Sequence, residues 1–459
     1  MSTLALPSRH GAVPVGVRLP RSLTWLAAIG YSGALFVLAT SSNRFAAYAA
    51  SALLIGLIVL FVVRPVSGLV GVLLIFQSAD LWADGRLVTV GGLKYNLSTG
   101  ITIMLLVVGG AYLIENWREV RRAPSVWPFI VLTAVAAVSL VHAPDLGLGV
   151  SEVARFAQIG VLYALVYTVC RTRLDIQLVL GALFTSVLGV IGVAIWQTVN
   201  SGGRAGLGQF QFDRATGGFT GPDELGIILG VLLCAAIPLL LGGRLRWWAP
   251  LLAWTGVAGV ALVGSYTRTG WITLIVGLIV IGIIRYRTLL LIVPLVVGAL
   301  VLAVPNTVHR FNDLSQEQTA QDSGNTFVSR VGLWRQNLPK VNQEPVIGHG
   351  WGSIGVTAGR LTHSDYVRTA VETGLLGFGA FVALLLSGFI GAVMALRRTL
   401  RYRPRGLLTA VSVGGVGVSV VYMLASADSN LVTKPVVAGA VWVVIGLSHV
   451  AGVVRAPAP

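Results

Sequence analysis

A hydrophilic stretch of the chain, Pro305 to Arg368, contains side chains that could bind an anion and accept a proton. Its histidine His363 lies in the sequence Thr-His-Ser-Asp, which has the spacing of a helix-capping box. We therefore expect His363 in the first turn of a helix. The positive end of the helix dipole disfavours imidazolium, so this histidine is predicted to be neutral and able to act as a base.

Two arginines are the best candidates for binding an anion. Arg330 lies in the segment Phe327 to Leu338, where Phe327, Val331, Trp334 and Leu338 recur at helical spacing, and this pattern predicts a helix on the membrane surface. Arg268 lies in a very short turn between two apolar runs, so its guanidinium must lie at the membrane surface. Ionisable groups at that depth tend to be paired or functional. Arg214 is a weaker candidate.

The other polar groups are expected to have structural roles. Glu152 and Arg155 are three residues apart, which predicts an ion pair on one helix. Gly348, Gly350 and Gly352 predict a compact turn and not a phosphate cradle, because no strand precedes them and no P-loop lysine follows. The remaining histidines and most other basic residues of the hydrophilic loops are interpreted as interface or rim residues: His142, His309, His349, Arg204, Arg310, Arg335, Lys340, Arg360 and Arg368.

Apolar runs long enough to cross a bilayer surround these residues. The chain of 459 residues is 55% hydrophobic and only 11% charged, with a mean hydropathy of +0.83. This composition predicts an all-α polytopic membrane bundle of about twelve to fourteen transmembrane helices, because each crossing needs about 20 apolar residues. The runs are residues 23–40, 45–63, 66–82, 96–114, 126–142, 151–170, 175–199, 224–241, 247–265, 270–284, 288–304, 371–394, 407–425 and 436–452.

The predicted organisation follows from these runs. Residues 1–304 form the first eleven spans, residues 305–370 form one long extracytoplasmic loop with short helices, and residues 371–459 form the last spans of the same bundle. Cys170 and Cys234 both fall inside apolar runs, where buried free thiols are expected.

Most of the net charge of +16 reflects membrane orientation. Arginines concentrate in alternate short connections, such as Arg118 to Arg122 and Arg397 to Arg405, which is typical of loops retained on the cytoplasmic side. Both chain ends are then cytoplasmic and the 305–370 loop lies outside. The charge therefore requires no nucleic acid.

The order of motifs after Arg214 resembles the O-antigen ligase and O-antigen polymerase superfamily. The similar segments are Gly218-Phe-Thr-Gly-Pro-Asp223, Tyr266-Thr-Arg-Thr-Gly270, Arg330-x-x-x-Trp334, Glu344-Pro-Val-Ile-Gly-His-Gly-Trp-Gly-Ser353 and Thr362-His-Ser-Asp-Tyr-Val-Arg-Thr-Ala-Val-Glu-Thr-Gly-Leu-Leu-Gly377. The chain has Ser364 and Asp223 where that family usually has asparagine.

The resemblance implies a GT-C-like membrane fold and the transfer of a glycan from a polyprenyl diphosphate carrier to a hydroxyl of a glycan or lipid acceptor. The reaction would be inverting, would need no cofactor or metal, and would take place at a bacterial plasma (inner) membrane, among membrane lipids. The implied catalytic residues are His363, Arg330 and Arg268. The implied substrate-binding residues are Arg214, Asp223, Trp334, Asp365 and Glu372.

The residue types suit this chemistry independently of the resemblance. Arginine carries a permanent charge and a planar fork that matches the oxygens of a diphosphate leaving group. A neutral histidine can take the proton of an attacking hydroxyl. A flippase for lipid-linked oligosaccharides and a polymerase that uses a carboxylate, as in peptidoglycan synthesis, are the alternatives. The sequence does not distinguish a ligase from a polymerase.

Overall fold

The computed structural model is built almost entirely of helices in the residues that it describes. These are residues 22–41, 45–76, 88–90, 93–200, 214–243, 246–303, 327–357, 359, 361–402 and 405–454. The first part of the predicted outer loop, residues 304–326, lies outside them, and so do Arg204, His309, Arg310 and Arg360.

The described residues of the first half of the chain form ten α-helices. A π-helical segment, Leu105–Gly109, joins α4 to α5, and a 3-10 turn, Leu140–His142, extends α7. The helices are α1 Ser22–Ser41, α2 Phe45–Val63, α3 Pro65–Phe76, α4 Leu97–Met104, α5 Gly110–Glu115, α6 Trp117–Val120, α7 Val126–Ser139, α8 Leu146–Val169, α9 Arg173–Ser186 and α10 Leu188–Val199.

The second half contains the helices nearest the predicted reactive residues. They are α11 Pro222–Gly242, α12 Trp248–Gly264, α13 Arg268–Ile284, α14 Leu289–Ala303, α15 Phe327–Asn337, α16 Ser353–Thr357, α17 Asp365–Tyr402, α18 Leu407–Asp428 and α19 Pro435–Ala451. A 3-10 segment, Leu338–Asn342, follows α15.

The prediction of an all-α membrane bundle is confirmed. Each of the fourteen predicted apolar runs coincides with helix over the part that the structure describes, with α9 and α10 together forming one of them. Six helical segments are long and apolar enough to cross a membrane, and eight further apolar helices of 10–17 residues accompany them in the described ranges.

A short antiparallel hairpin is the one described departure from an all-helical chain. Strand β1, Val88–Val90, pairs with β2, Leu93–Tyr95, so that Thr89 lies opposite Lys94. The hairpin falls between the predicted apolar runs 66–82 and 96–114, where polar residues interrupt them.

Helices α18 and α19 form the centre of the bundle. Almost every residue of α19 is buried, and α18 packs against α11, α13, α17 and α19. Trp442 of α19 lies at the middle of an aromatic cluster, with ring centroids 4.7 Å from Phe129 and 5.5 Å from Tyr163. Cys170 and Cys234 are buried free thiols, as predicted.

Helix α17 breaks at Gly374, and the glycine-rich turn predicted from the sequence fills the break. Gly374 has φ 66° and ψ −167°, so the carbonyls of Val371 and Glu372 lose their helical partners. The amides of His349 and Gly350 donate to these two carbonyls, both at 3.0 Å. The turn is thereby attached to α17 through backbone hydrogen bonds.

The turn has the left-handed backbone that its glycines allow. Gly348, Gly350 and Gly352 have φ values of 70°, 93° and 87°, which confirms a compact glycine turn. Its far side contacts the end of α7, where His142 Nδ1 lies 2.9 Å from the Gly348 carbonyl oxygen. The turn therefore links α7 to α17.

Candidate active site

Helix ends from three parts of the chain meet at one end of the bundle. Asp223 is in the first turn of α11, Thr267 precedes α13, and Asp428 is the last residue of α18. A carboxylate suits the first turn of α11 because the helix N-terminus carries partial positive charge. Two carboxylates from helices far apart in sequence are therefore available to the same set of cations.

Arg214 is held in place on several sides. Its Nη2 donates to Asp223 Oδ1 at 3.1 Å and to Thr267 Oγ1 at 3.3 Å, and its Nε donates to the Ser265 carbonyl at 3.2 Å. Thr267 in turn donates to the Pro222 carbonyl at 2.8 Å. This network joins the start of α11 to the turn before α13.

Arg330 of α15 is buried, with 6% of its surface exposed. Its Nη1 donates to the Asp428 carbonyl oxygen at 2.7 Å and also forms an ion pair with the Asp428 carboxylate. Its Nη2 lies 3.9 Å from Asp223 Oδ2, so Asp223 pairs with both Arg330 and Arg214. Protein carboxylates therefore fix the orientation of the Arg214 and Arg330 guanidinium groups.

Arg268 is the first residue of α13 and is half-buried. Its two neighbours are both part of this network: Thr267 accepts from Arg214, and Thr269 donates to Asp428 Oδ2 at 2.6 Å. Arg268 therefore lies at the same end of the bundle as Arg214 and Arg330.

His363 is not in the first turn of α17, so this prediction is wrong. The helix begins at Asp365, and Ser364 is its cap, with Oγ accepting from the Val367 amide at 3.4 Å. His363 precedes that cap with φ 51°, the left-handed region that a non-glycine residue rarely adopts. The capping box fails because the Asp365 carboxylate binds a different segment.

The neighbours of His363 nevertheless favour its neutral form. Burial lowers the pKa of His363 below its ordinary value of 6.5, and the charge of Arg330 lowers this pKa further. Asp223 and Asp428 act in the opposite direction, but burial is the largest effect. The histidine is thus kept neutral by burial and a neighbouring guanidinium, and the predicted helix dipole is not the cause.

The structure therefore brings together four residues predicted to form the site and a fifth, Asp428, that the sequence analysis does not predict. His363, Arg330, Asp223 and Arg214 lie in one electrostatic cluster with Asp428. Asp428 has a signal in the sequence, because it is an acid at the end of the long apolar run 407–425. The sequence alone does not show which helix end lies next to Asp428, so this signal does not indicate that its partner is Arg330.

Trp334 connects α15 to the segment that carries His363. Its Nε1 donates to the Thr362 carbonyl at 2.8 Å, and its ring packs against the small apolar cluster of Ile354, Val367 and Val371. The predicted helix 327–338 is confirmed as α15, and Leu338 begins the 3-10 segment that follows.

Asp365 and Glu372 have their carboxylates bonded to protein. Asp365, fully buried, accepts from the amides of Leu431 and Val432 in the connection between α18 and α19, at 3.0 and 3.2 Å. Glu372 accepts from the Gly352 amide at 3.0 Å and the Ile354 amide at 3.2 Å. Contact of either residue with substrate stays a prediction.

Arg368 is buried inside the bundle, so the prediction of a rim residue is wrong. Only 1% of it is exposed. Its Nε donates to Glu372 at 2.9 Å, its Nη1 donates to Thr433 at 2.9 Å, and its Nη2 pairs with Glu152.

The predicted pair between Glu152 and Arg155 is accordingly wrong. Glu152 pairs with Arg368 across the bundle, and Arg155 is exposed and forms no ion pair with Glu152. A buried guanidinium needs carboxylates more than an exposed one does, because desolvation raises the cost of leaving it unpaired.

Metal ligands are sparse in this region. Among the described residues, no group of three or more His, Cys, Asp or Glu side chains is arranged to hold a metal ion. Metal independence itself stays a prediction.

A comparison with known families agrees with the motif order. Residues 251–382 match the family model described as O-antigen ligase, and the matched region includes Arg268, Arg330, Trp334, His363 and Glu372. No curated protein matches the chain. The family match confirms the resemblance that the motifs indicated.

Proposed function

From the match of residues 251–382 to the O-antigen ligase family model, we propose that this chain transfers a glycan from a polyprenyl diphosphate carrier to a hydroxyl acceptor. The observation that carries the proposal is the contact between α15, which carries Arg330, and the segment that carries His363. Trp334 of α15 donates to the carbonyl of Thr362, the residue next to His363. A neutral base and a fixed cation beside each other are what an attacking hydroxyl and a leaving diphosphate require.

His363 is the proposed general base. Its imidazole takes the proton of the acceptor hydroxyl as the hydroxyl oxygen forms a bond to the anomeric carbon of the donor sugar. The bond between that carbon and the diphosphate oxygen breaks, and its electron pair leaves with the diphosphate. Direct displacement from the opposite face inverts the anomeric configuration, and the proton on His363 then passes to solvent.

Arg330 and Arg268 are the proposed anion-stabilising groups. Negative charge grows on the diphosphate as the bond breaks, and a positioned guanidinium stabilises this charge without reorganising. The ion pair with Asp428 fixes the orientation of the Arg330 guanidinium.

Arg214 and Asp223 are proposed to bind the substrate's polar groups and to set the position of Arg330. Asp223 pairs with both arginines, so a displacement of one is transmitted to the other. Trp334 is proposed to contact the glycan, since aromatic faces pack against sugar rings while its Nε1 keeps the hydrogen bond to Thr362.

Asp365 and Glu372 are better assigned as positioning residues than as substrate ligands. Their carboxylates accept backbone hydrogen bonds from segments on either side of the site. We propose that they hold His363 in place by fixing α17 against the connection 429–434 and the glycine turn.

The proposed reaction needs no metal. The two carboxylates beside His363 are paired with arginines, whereas a Mg²⁺ site would use carboxylates together with substrate phosphates. The guanidinium groups supply the positive charge that a metal would otherwise provide. Transfer that requires added Mg²⁺ would contradict this part of the proposal.

The proposed setting is a bacterial plasma membrane with both chain ends in the cytoplasm. The cluster lies at the end of the bundle where α11 and α13 begin, and the arginine-rich connections after α13 and α17 lie at their opposite ends. The positive-inside rule therefore directs the cluster to the outer face.

Gene deletion tests the function directly. The host that lacks the gene should accumulate a polyprenyl-diphosphate-linked glycan, long chains indicating a ligase and short units a polymerase. The purified protein with donor and acceptor should then form a new glycosidic bond. A donor that only changes leaflet, with no new bond, would identify the chain as a transporter and refute the proposal.

A further inference from the structure

A groove at the other end of the bundle has no part in the proposed reaction. It encloses about 430 Å³ between the segment before α7, the end of α8 and the final turns of α17 and α19. We name it the basal groove and define it by Arg122, Tyr167, Ile390, Met394, Arg398 and Val453.

The groove is separated from the candidate active site by the length of the bundle. Helix α17 begins at Asp365, near the site, and Arg398 lies close to its other end. Helix α19 begins at Pro435, after the connection that Asp365 binds, and Val453 follows its last turn. A ligand in the groove could not contact His363.

The polar groups on the floor of the groove already have protein partners. His449 Nδ1 lies 2.9 Å from the Tyr163 hydroxyl, and His449 Nε2 lies 3.1 Å from the Gly388 carbonyl oxygen. Ser387 donates to Ser125 Oγ at 2.9 Å. The floor therefore offers little to a polar ligand.

The rim, in contrast, carries two cations with no acidic partner. Arg122 and Arg398 are exposed and form no ion pair with any described residue. Both arginines line the groove together with Tyr167. The nearby acid Glu119 pairs with Arg171 and does not compensate them.

The walls between these cations are apolar and open sideways. Ile390 is 51% exposed, Met394 is 42% exposed and Val453 is 51% exposed, and the first two lie on α17, which is long and apolar enough to cross a membrane. An occupant must therefore combine an anionic group for the rim with a hydrocarbon chain for the wall. Free phosphate has only the first of these.

We propose that the basal groove binds one anionic phospholipid, with its phosphate between Arg122 and Arg398 and an acyl chain along Ile390 and Met394. The positive-inside rule directs this end to the cytoplasmic leaflet, where anionic lipids attract basic pockets between helices. The site is separate from the lipid-linked donor, which the proposed function assigns to the other end of the bundle.

Lipid binding to the purified protein tests the proposal. Native mass spectrometry would count bound phosphatidylglycerol and bound phosphatidylcholine on the wild type and on the double variant R122A/R398A. The matched control is R121A/R397A, which removes the same charge from the adjacent positions, outside the groove. We expect the first double variant to bind phosphatidylglycerol at least about tenfold more weakly and the control to bind it like the wild type.

A steric variant and a competitor make the test independent of charge alone. Met394→Trp should narrow the groove and reduce phosphatidylglycerol binding with both arginines present. Millimolar inorganic phosphate should not displace the lipid. Equal loss in both double variants, equal binding of the two lipids, displacement by phosphate or full binding by Met394→Trp would each overturn the proposal.

Discussion

Arg330 on α15 donates a 2.7 Å hydrogen bond to the backbone carbonyl of Asp428, the last residue of α18, and pairs with its carboxylate as well. This contact joins the outer segment to the centre of the bundle, because α18 packs against four other helices. Thr269 Oγ1 donates to the other carboxylate oxygen of Asp428 at 2.6 Å, so Asp428 also connects Arg330 to α13. The position of Arg330 therefore depends on α18, which contributes no proposed catalytic group, and on α13, which begins with Arg268.

Replacing Arg330 by lysine tests the need for a guanidinium fork. Lysine keeps the positive charge but cannot bond Asp428 and a diphosphate with one planar group, so turnover should fall at least about tenfold and the KM for the donor should rise. Arg335→Lys is the control, because Arg335 lies on the same helix and is exposed. Kinetics with purified enzyme and lipid-linked donor measure both, and an R330K enzyme as active as R335K would contradict the role.

Replacing His363 by alanine tests the base. Loss of a positioned general base should slow transfer by about 10²- to 10⁴-fold while the protein remains in the membrane. Retention of half the wild-type rate would remove His363 from the mechanism. In the wild type, the neutral imidazole is the active form, so transfer should decline as the pH falls through the pKa of His363, and the midpoint should lie below 6.5.

Replacing Asp428 by asparagine should change the pH at which the transfer rate declines on the acidic side. The Asp428 carboxylate raises the pKa of His363, so its removal lowers this pKa further and shifts the midpoint to a lower pH. Glu344→Gln is the control, since Glu344 is an exposed carboxylate in the neighbouring turn. A pH–rate profile of each variant gives the answer, and a shift to higher pH in D428N would refute this account of the cluster.

Replacing Gly374 by alanine tests the break in α17. A Cβ at Gly374 would overlap the backbone of Val346, and alanine is strained at φ 66°. The glycine turn should move and carry the site with it, which should slow transfer on the order of 10²-fold. Gly379→Ala, on the same helix with open space at its Cβ, should transfer glycan like the wild type.

Replacing Arg368 by methionine tests the buried ion network. The change leaves Glu152 and Glu372 without their cation, which costs about 3–5 kcal/mol for a buried pair. The apparent Tm in detergent should fall by several degrees, whereas Arg155→Met at an exposed position of α8 should change it little. Equal Tm values for the two variants would show that the network contributes no net stability.

Hydropathy was sufficient to predict the helices, because every backbone group in lipid must be bonded within its own helix. The residue types of His363 and Arg330 likewise predict a base and an anion-binding group from the sequence alone. The partners were not predictable. Asp365 could satisfy a capping box by sequence spacing, yet it binds amides at Leu431 and Val432, more than sixty residues away.

The same limit explains Arg368. Its neighbours along the chain indicate a rim residue, and only the fold brings the first part of α8, with Glu152, next to the first turn of α17. Long-range pairing of charges depends on which helix ends meet, and a single sequence does not contain that information in its local spacing.

The amides of His349 and Gly350 attach the glycine turn to the backbone of α17, and the Glu372 carboxylate of α17 accepts from the Gly352 amide. Residues on the outward surface of that turn can therefore be exchanged freely as long as its glycines persist. Exchange of the exposed Glu344 side chain should therefore leave the anchor of the turn intact, whereas Trp351 of the same turn is buried in the core and cannot be exchanged in this way.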